Sequence, residues 1–108
     1  MSISLVGLPG SGKTTVGRQL ARRLRLPFVD SDHAIESRIG CSIREFFDRE
    51  GEERFRDIEE DVLDELSKNA DSVLSTGGGA VLRANNRGNL HARGKVVYLK
   101  STPEELFR

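Results

Sequence analysis

The stretch Gly7-Leu8-Pro9-Gly10-Ser11-Gly12-Lys13-Thr14 meets the phosphate-binding pattern G-x-x-x-x-G-K-[ST] at every specified position. Its flanks suit the same purpose. Ile3-Ser4-Leu5-Val6 before it is a short apolar run that predicts a buried strand, and Val16, Leu20, Ala21 and Leu24 after it recur at helical spacing. The pattern predicts a strand, a glycine loop, and a helix opening at about Lys13. Glycines let the backbone N–H groups close around a phosphate, and the helix N-terminus adds about half an elementary charge. Gly10, Ser11, Gly12, Lys13 and Thr14 are therefore candidate residues for binding a nucleoside triphosphate. Lys13 carries a full charge to the β- and γ-phosphates, and the Thr14 hydroxyl is placed to bind Mg²⁺.

At 108 residues the chain is one domain at most. Lys plus Arg and Asp plus Glu both total 17, a balance that argues against a nucleic-acid partner. Arg18, Arg22, Arg23 and Arg25 cluster on the first helix and are read as a solvated face. Cys41 is the single cysteine, so neither an intrachain disulfide nor a C-x-x-C metal pattern is available. No apolar run approaches the roughly 20 residues that span a bilayer. With no signal peptide visible, the expectation is a soluble cytoplasmic protein without a membrane partner.

Further along, Pro27-Phe28-Val29 is a second strand run, ending in Asp30-Ser31-Asp32. A helix through Ala34, Ile35 and Ile39 follows, stopped by Gly40. Ser42-Ile43-Arg44-Glu45 reads as a capping box that starts a helix at Ile43, which Gly51 breaks. A long helix runs from about Glu52 to Lys68, with Phe55, Ile58, Val62, Leu63 and Leu66 on its buried face. Residues 72–76 form a third strand leading into Gly77-Gly78-Gly79, the region from Arg83 to Gly94 holds at best one short helix, and residues 95–99 form a fourth strand. Strands alternating with helices predict an α/β fold, a parallel sheet of about four strands wound with helices on both faces. Ligands of such sheets collect at the carboxyl ends of the strands, where the P-loop, the Asp pair and the triple glycine all stand. Thr102-Pro103-Glu104-Glu105 is a helix start, yet the sequence stops at Arg108, so it reads as cut off.

Asp30 and Asp32, two apart on backbone taken as extended, point to opposite sides and serve different ligands. One holds a water on Mg²⁺; the other accepts from a substrate hydroxyl. The plainer alternative is that Asp32 caps a helix beginning at His33. Arg56 is either a surface ion pair with Glu59 and Glu60 or a guanidinium fork held by them for an anionic substrate group, and the residues leave this even. Three glycines in a row exceed what a turn needs, and close backbone approach to a small ligand explains them better. His33 and His91 are read as surface residues. Phe46 and Phe47 are read as core, with one of them available to wall a pocket.

Together, VGLPGSGKTTVGRQLA, FVDSDHAIE, FFDREGEERFRDIE and VLSTGGGAV, in that order and followed by VVYL and STPEELFR, resemble the N-terminal part of a shikimate kinase, a P-loop NTPase of the nucleoside-monophosphate-kinase type. The resemblance covers essentially the whole chain. It implies that residues 10 to 15 bind ATP, that Thr14 ligates Mg²⁺ with Asp30 assisting through water, and that Asp32, Arg56 and the glycines 77 to 79 bind shikimate. Lys13 and Asp32 are then the catalytic pair, Asp32 taking the proton of the attacking 3-hydroxyl and Arg56 the carboxylate. The partners implied are ATP and shikimate, and the chain is expected to act as a monomer. Residues 1–108 would be one incomplete P-loop kinase domain lacking the lid and C-terminal strand and helices, poorly stable and nearly inactive alone. A gluconate-type kinase, or a truncated module that binds nucleotide or shikimate without transfer, are the alternatives.

Overall fold

The four apolar runs pair side by side, all parallel, in the order β2-β3-β1-β4. The structure, a computed structural model, describes residues 2–7, 13–68 and 71–99. In chain order these form β1 (Ser2–Gly7), α1 (Lys13–Leu24), β2 (Phe28–Asp30), α2 (Ser31–Ile39), α3 (Ile43–Glu50), α4 (Glu52–Lys68), β3 (Val73–Ser75), a 3-10 turn (Ala80–Leu82), α5 (Ala84–Arg93) and β4 (Gly94–Leu99). Gly10, Ser11 and Gly12 of the phosphate loop and the helix start at Thr102 lie outside the described residues. Among the described residues no helix is long and apolar enough to cross a membrane.

Alternation along the strands divides the core. Leu5 and Val73 face α1 through Ala21, with Ile3, Leu20 and Phe28 beside them. Val6 and Leu74 face the other way, onto Leu63 of α4, Ala80 and Leu90 of α5. Helices therefore cover both faces, as the strand–helix alternation predicts. A third cluster, Ile35, Phe46, Phe55 and Val62, binds α2, α3 and α4 into one block inserted between β2 and β3. On α4, Phe55, Val62 and Leu63 are buried as expected, and Glu59 joins them at 1% exposure.

The strand order creates the crevice. The connection leaving β1 travels past β3 to β2, whereas the one leaving β3 travels past β1 to β4, so the helices part above the carboxyl ends of β1 and β3. Leu5, Ser75 and Asp30 lie in one row across the sheet. Gly7, Gly77 and Asp32 each follow that row by two residues. Register alone thus brings Gly7, the triple glycine and the acidic pair to one rim. Thr76 fastens it: its N–H and its hydroxyl both donate to the Leu5 carbonyl, at 3.1 and 2.8 Å.

Three local expectations change. The helix after β2 begins at Ser31, not His33, and its cap is Asp30, whose Oδ1 accepts from the Asp32 N–H at 3.0 Å. Asp32 is consequently a first-turn residue of α2, not an extended one, because pairing of Asp30 with Ser75 ends the strand there. At α3, Ser42 Oγ accepts from the Glu45 N–H as a capping box requires, but the carboxylate that reaches the helix start is Glu36, accepting from the Ile43 N–H at 3.0 Å. The polar stretch after Arg83 makes a full ten-residue helix anchored by buried Leu90 and Asn86.

Candidate active site

Gly7 leaves β1 at φ 152°, a conformation glycine enters without strain, and its carbonyl accepts from Lys13 Nζ at 2.8 Å. The Lys13 ammonium is thereby held back over the start of the phosphate loop. Burial lowers its pKa, and the nearby Asp32 carboxylate opposes that shift. Thr14 and Thr15 are exposed on the first turn of α1. Asp30 has one oxygen committed to its cap. Its other oxygen and the Thr14 hydroxyl are hard donors of the kind Mg²⁺ takes alongside water and phosphate. No group of three or more His, Cys, Asp or Glu able to hold a metal exists among the described residues.

A cavity of about 240 Å³ lies beside this end of the sheet. Asp32, Arg56 and Glu59 supply its charged walls, Ile43, Phe47 and Phe55 an apolar side, and Gly77, Gly78 and Gly79 its floor. Phe47 and Phe55 meet with ring centroids 5.7 Å apart and planes tilted by 51°. Phe47 is thus the half-buried member of the Phe pair that walls a pocket, while Phe46 is core. His33 and His91 are exposed, as are Arg18, Arg22 and Arg23 of α1 and Arg25, which lies just past its end at φ 57°.

Burial raises the Asp32 pKa above the ordinary carboxyl value, and repulsion from Asp30 and Glu36 adds to it; Lys13 and Arg56 pull the other way. Arg56 lies along the floor of the cavity. Its Nη1 donates to Glu59 Oε1 at 3.0 Å, its Nε is 3.7 Å from Glu52, and its guanidinium sits 5.2 Å from the Phe55 ring centroid. With its side chain 18% exposed against 2% for Glu59, the pair is no ordinary surface bridge. Burial raises the Glu59 pKa, opposed by the hydrogen bond and charge of Arg56. Of the two carboxylates expected to hold Arg56, Glu59 does so. Glu60 turns to Arg83 instead, at 3.4 Å.

The glycines have a physical reason that the sequence alone conceals. A Cβ on Gly77 would lie 2.7 Å from Asp32 Oδ1, and one on Gly79 would overlap the Arg56 guanidinium. Two of the three bare positions therefore let the chain's own acid and base cross the backbone, in addition to any ligand. Gly79→Ala should displace Arg56 and raise the Michaelis constant for an anionic acceptor by about tenfold or more. An unchanged constant in steady-state kinetics would refute this reading of the floor.

Each candidate from the sequence that falls on described residues stands at this rim: Lys13, Thr14, Thr15, Asp30, Asp32, Arg56 and the three glycines. The residues that sequence patterns missed are Ile43 and Phe55 of the apolar side and Thr76 of the anchorage, for each of which an apolar or β-propensity role was the only visible signal.

The shikimate kinase family model matches residues 9–108. A shikimate kinase from Paracidovorax citrulli is 64% identical over all of this chain, which spans 60% of that protein's length. The solved structure of shikimate kinase from Acinetobacter baumannii in complex with shikimate superposes with a TM-score of 0.90 at 53% identity, covering 97% of this chain and 58% of that one. A gluconokinase from Sinorhizobium meliloti superposes with a TM-score of only 0.56 at 20% identity, which is a likeness of fold alone. The chain belongs to the shikimate kinase family.

Proposed function

We propose that this chain carries the nucleotide and acceptor sites of a kinase that moves the γ-phosphate of ATP to the 3-hydroxyl of shikimate, releasing ADP and shikimate 3-phosphate. The observation that carries the reading is the meeting of Asp32 and Arg56 across one glycine-floored cavity, within electrostatic reach of Lys13. Arg56 offers a guanidinium, already fixed by Glu59, to the acceptor's carboxylate. The apolar side fits the carbon face of a ring, and Asp32 accepts the proton as the hydroxyl oxygen bonds to the γ-phosphorus. The bond to the bridging oxygen breaks and ADP departs with its electron pair. A carboxyl with a raised pKa suits that task better than an ordinary one, because proton transfer is best matched near the working pH. Gly10, Ser11 and Gly12 cradle phosphates by the logic of their sequence pattern, Thr15 joins them by the family likeness, and Lys13 neutralises charge on the transferring group. Thr14, with Asp30 through water, would hold Mg²⁺, which would supply positive charge to offset that of the phosphates. On this reading the protein is a cytoplasmic monomer acting on small molecules, and the balanced net charge speaks against a nucleic-acid partner.

The test is ADP release from Mg-ATP with shikimate, with gluconate and with no acceptor. It is run on residues 1–108 and on a full-length chimera in which they replace the matching part of the Paracidovorax citrulli relative. Shikimate-dependent release by the chimera is expected. Release with gluconate in preference to shikimate, or saturable ATP binding with no release at all, would overturn the proposal.

A further inference from the structure

On a helix, Arg56 can reach carboxylates three and four residues on, Glu59 and Glu60 alike. With Glu52 already 3.7 Å from its Nε, both of them together would close the guanidinium on the chain's own carboxylates. The structure divides them differently. Arg83, at the end of the 3-10 turn that follows the glycine floor, lies against α4 and donates through Nη1 to Asp57 Oδ1 at 2.7 Å and Glu60 Oε1 at 3.4 Å. Its Nη2 points to the Glu53 carbonyl, also at 3.4 Å. Glu53, Asp57 and Glu60 follow one another by a turn, so Arg83 runs along a single stripe of α4. Arg56 and Glu59 belong to the neighbouring stripe that lines the cavity. Arg56 Nε is buried and has no hydrogen-bond partner.

We propose that Arg83 is a positioning residue that draws Glu60 away from Arg56, leaving the Arg56 guanidinium hydrogen-bonded to Glu59, with Glu52 at 3.7 Å behind Nε, and open toward the cavity. The inference rests on the reading that Arg56 receives the carboxylate of the acceptor. The same turn then does two things for one cation. Gly79 gives it a bare surface to lie on, and Arg83, four residues later, removes its competitor. Without Arg83, Glu60 is a free carboxylate one helical turn from Arg56 and competes with the acceptor's own carboxylate. The Arg83 side chain is not among those that line the cavity, so its main effect on binding passes through Glu60, beside a weaker charge effect on Glu59.

The experiment compares Arg83→Ala, Glu60→Gln and the double variant in the full-length chimera. Arg83→Ala should raise the KM for shikimate about fivefold and leave the KM for ATP within about twofold. Adding Glu60→Gln should return the shikimate KM to within about twofold of the parent, since a neutral amide no longer competes for the cation. Arg83→Lys, which keeps a charge beside Glu60, should stay close to the parent. A second readout is independent of the substrate. The Arg56 guanidinium ¹⁵N signals of the ligand-free protein, assigned through Arg56→Lys, should shift in Arg83→Ala and revert in the double variant. A merely structural Arg83 would lower Tm and leave both variants equally impaired, and that lack of rescue would overturn the proposal. So would unchanged KM and unchanged signals in Arg83→Ala. If the parent chimera does not use shikimate, the functional reading fails by itself, and the ¹⁵N signals still decide for or against Arg83.

Discussion

Asp32→Asn is expected to lower kcat of the full-length chimera by about 10²- to 10⁴-fold, the range for losing a positioned general base, and at the same time to raise its melting temperature at neutral pH. The second half follows from linkage. Burial first, then the charges of Asp30 and Glu36, raise the Asp32 pKa over the counter-pull of Lys13 and Arg56. The folded protein therefore binds this proton more tightly than the unfolded chain. The stability contributed by the group is complete below the unfolded pKa and is lost as pH rises through the higher folded value. At neutral pH the ionised carboxylate opposes folding, and an amide removes that opposition. The gap in Tm between Asp32→Asn and the parent should widen as pH rises from the ordinary carboxyl range through the higher folded pKa. Unimpaired turnover would remove Asp32 from the chemistry, and a variant less stable than its parent at pH 7 would contradict the electrostatic account.

Arg56→Ala should raise the KM for shikimate by about 10²-fold, as expected when hydrogen bonds to a charged group are lost, with the KM for ATP nearly unchanged. It should also destabilise the fold by about 3 kcal/mol, because Glu59 is left buried without its partner. Glu59 can escape part of this penalty by taking up a proton, and its pKa is already raised by burial. The stability deficit should therefore be smallest at acidic pH, where Glu59 is protonated, and grow as pH rises and Glu59 ionises. Arg56→Ala/Glu59→Gln separates the two effects: stability returns and the shikimate KM does not. Recovery of the KM in that double variant would make Arg56 a structural residue.

Much of this site was written in local pattern. Short apolar runs gave the strands, Gly40 and Gly51 ended α2 and α3, and three loops at strand ends marked one rim. What remained hidden depends on packing between distant segments. Either Asp of Asp30-Ser31-Asp32 can cap a helix, and the choice falls to Asp30 because β2 ends where Asp30 pairs with Ser75. Glu59 and Glu60 are identical in composition and adjacent. Only the closure of α4 over the glycine turn decides that the first is buried against Arg56 while the second meets Arg83. The triple glycine advertised a close approach but not its object, since the crossing side chains come from residues more than 20 positions away. Arg83 belongs to no motif.

The double hydrogen bond from Thr76 to the Leu5 carbonyl has a thermodynamic consequence. The phosphate loop begins two residues after Leu5, and the glycine floor begins one residue after Thr76. Both halves of the site thus hang from a single rivet between the two central strands. Ordering imposed on that rivet by one ligand need not be supplied again by the other. Any such advantage must be mutual, because linkage makes the factor by which nucleotide aids acceptor equal to the factor by which acceptor aids nucleotide.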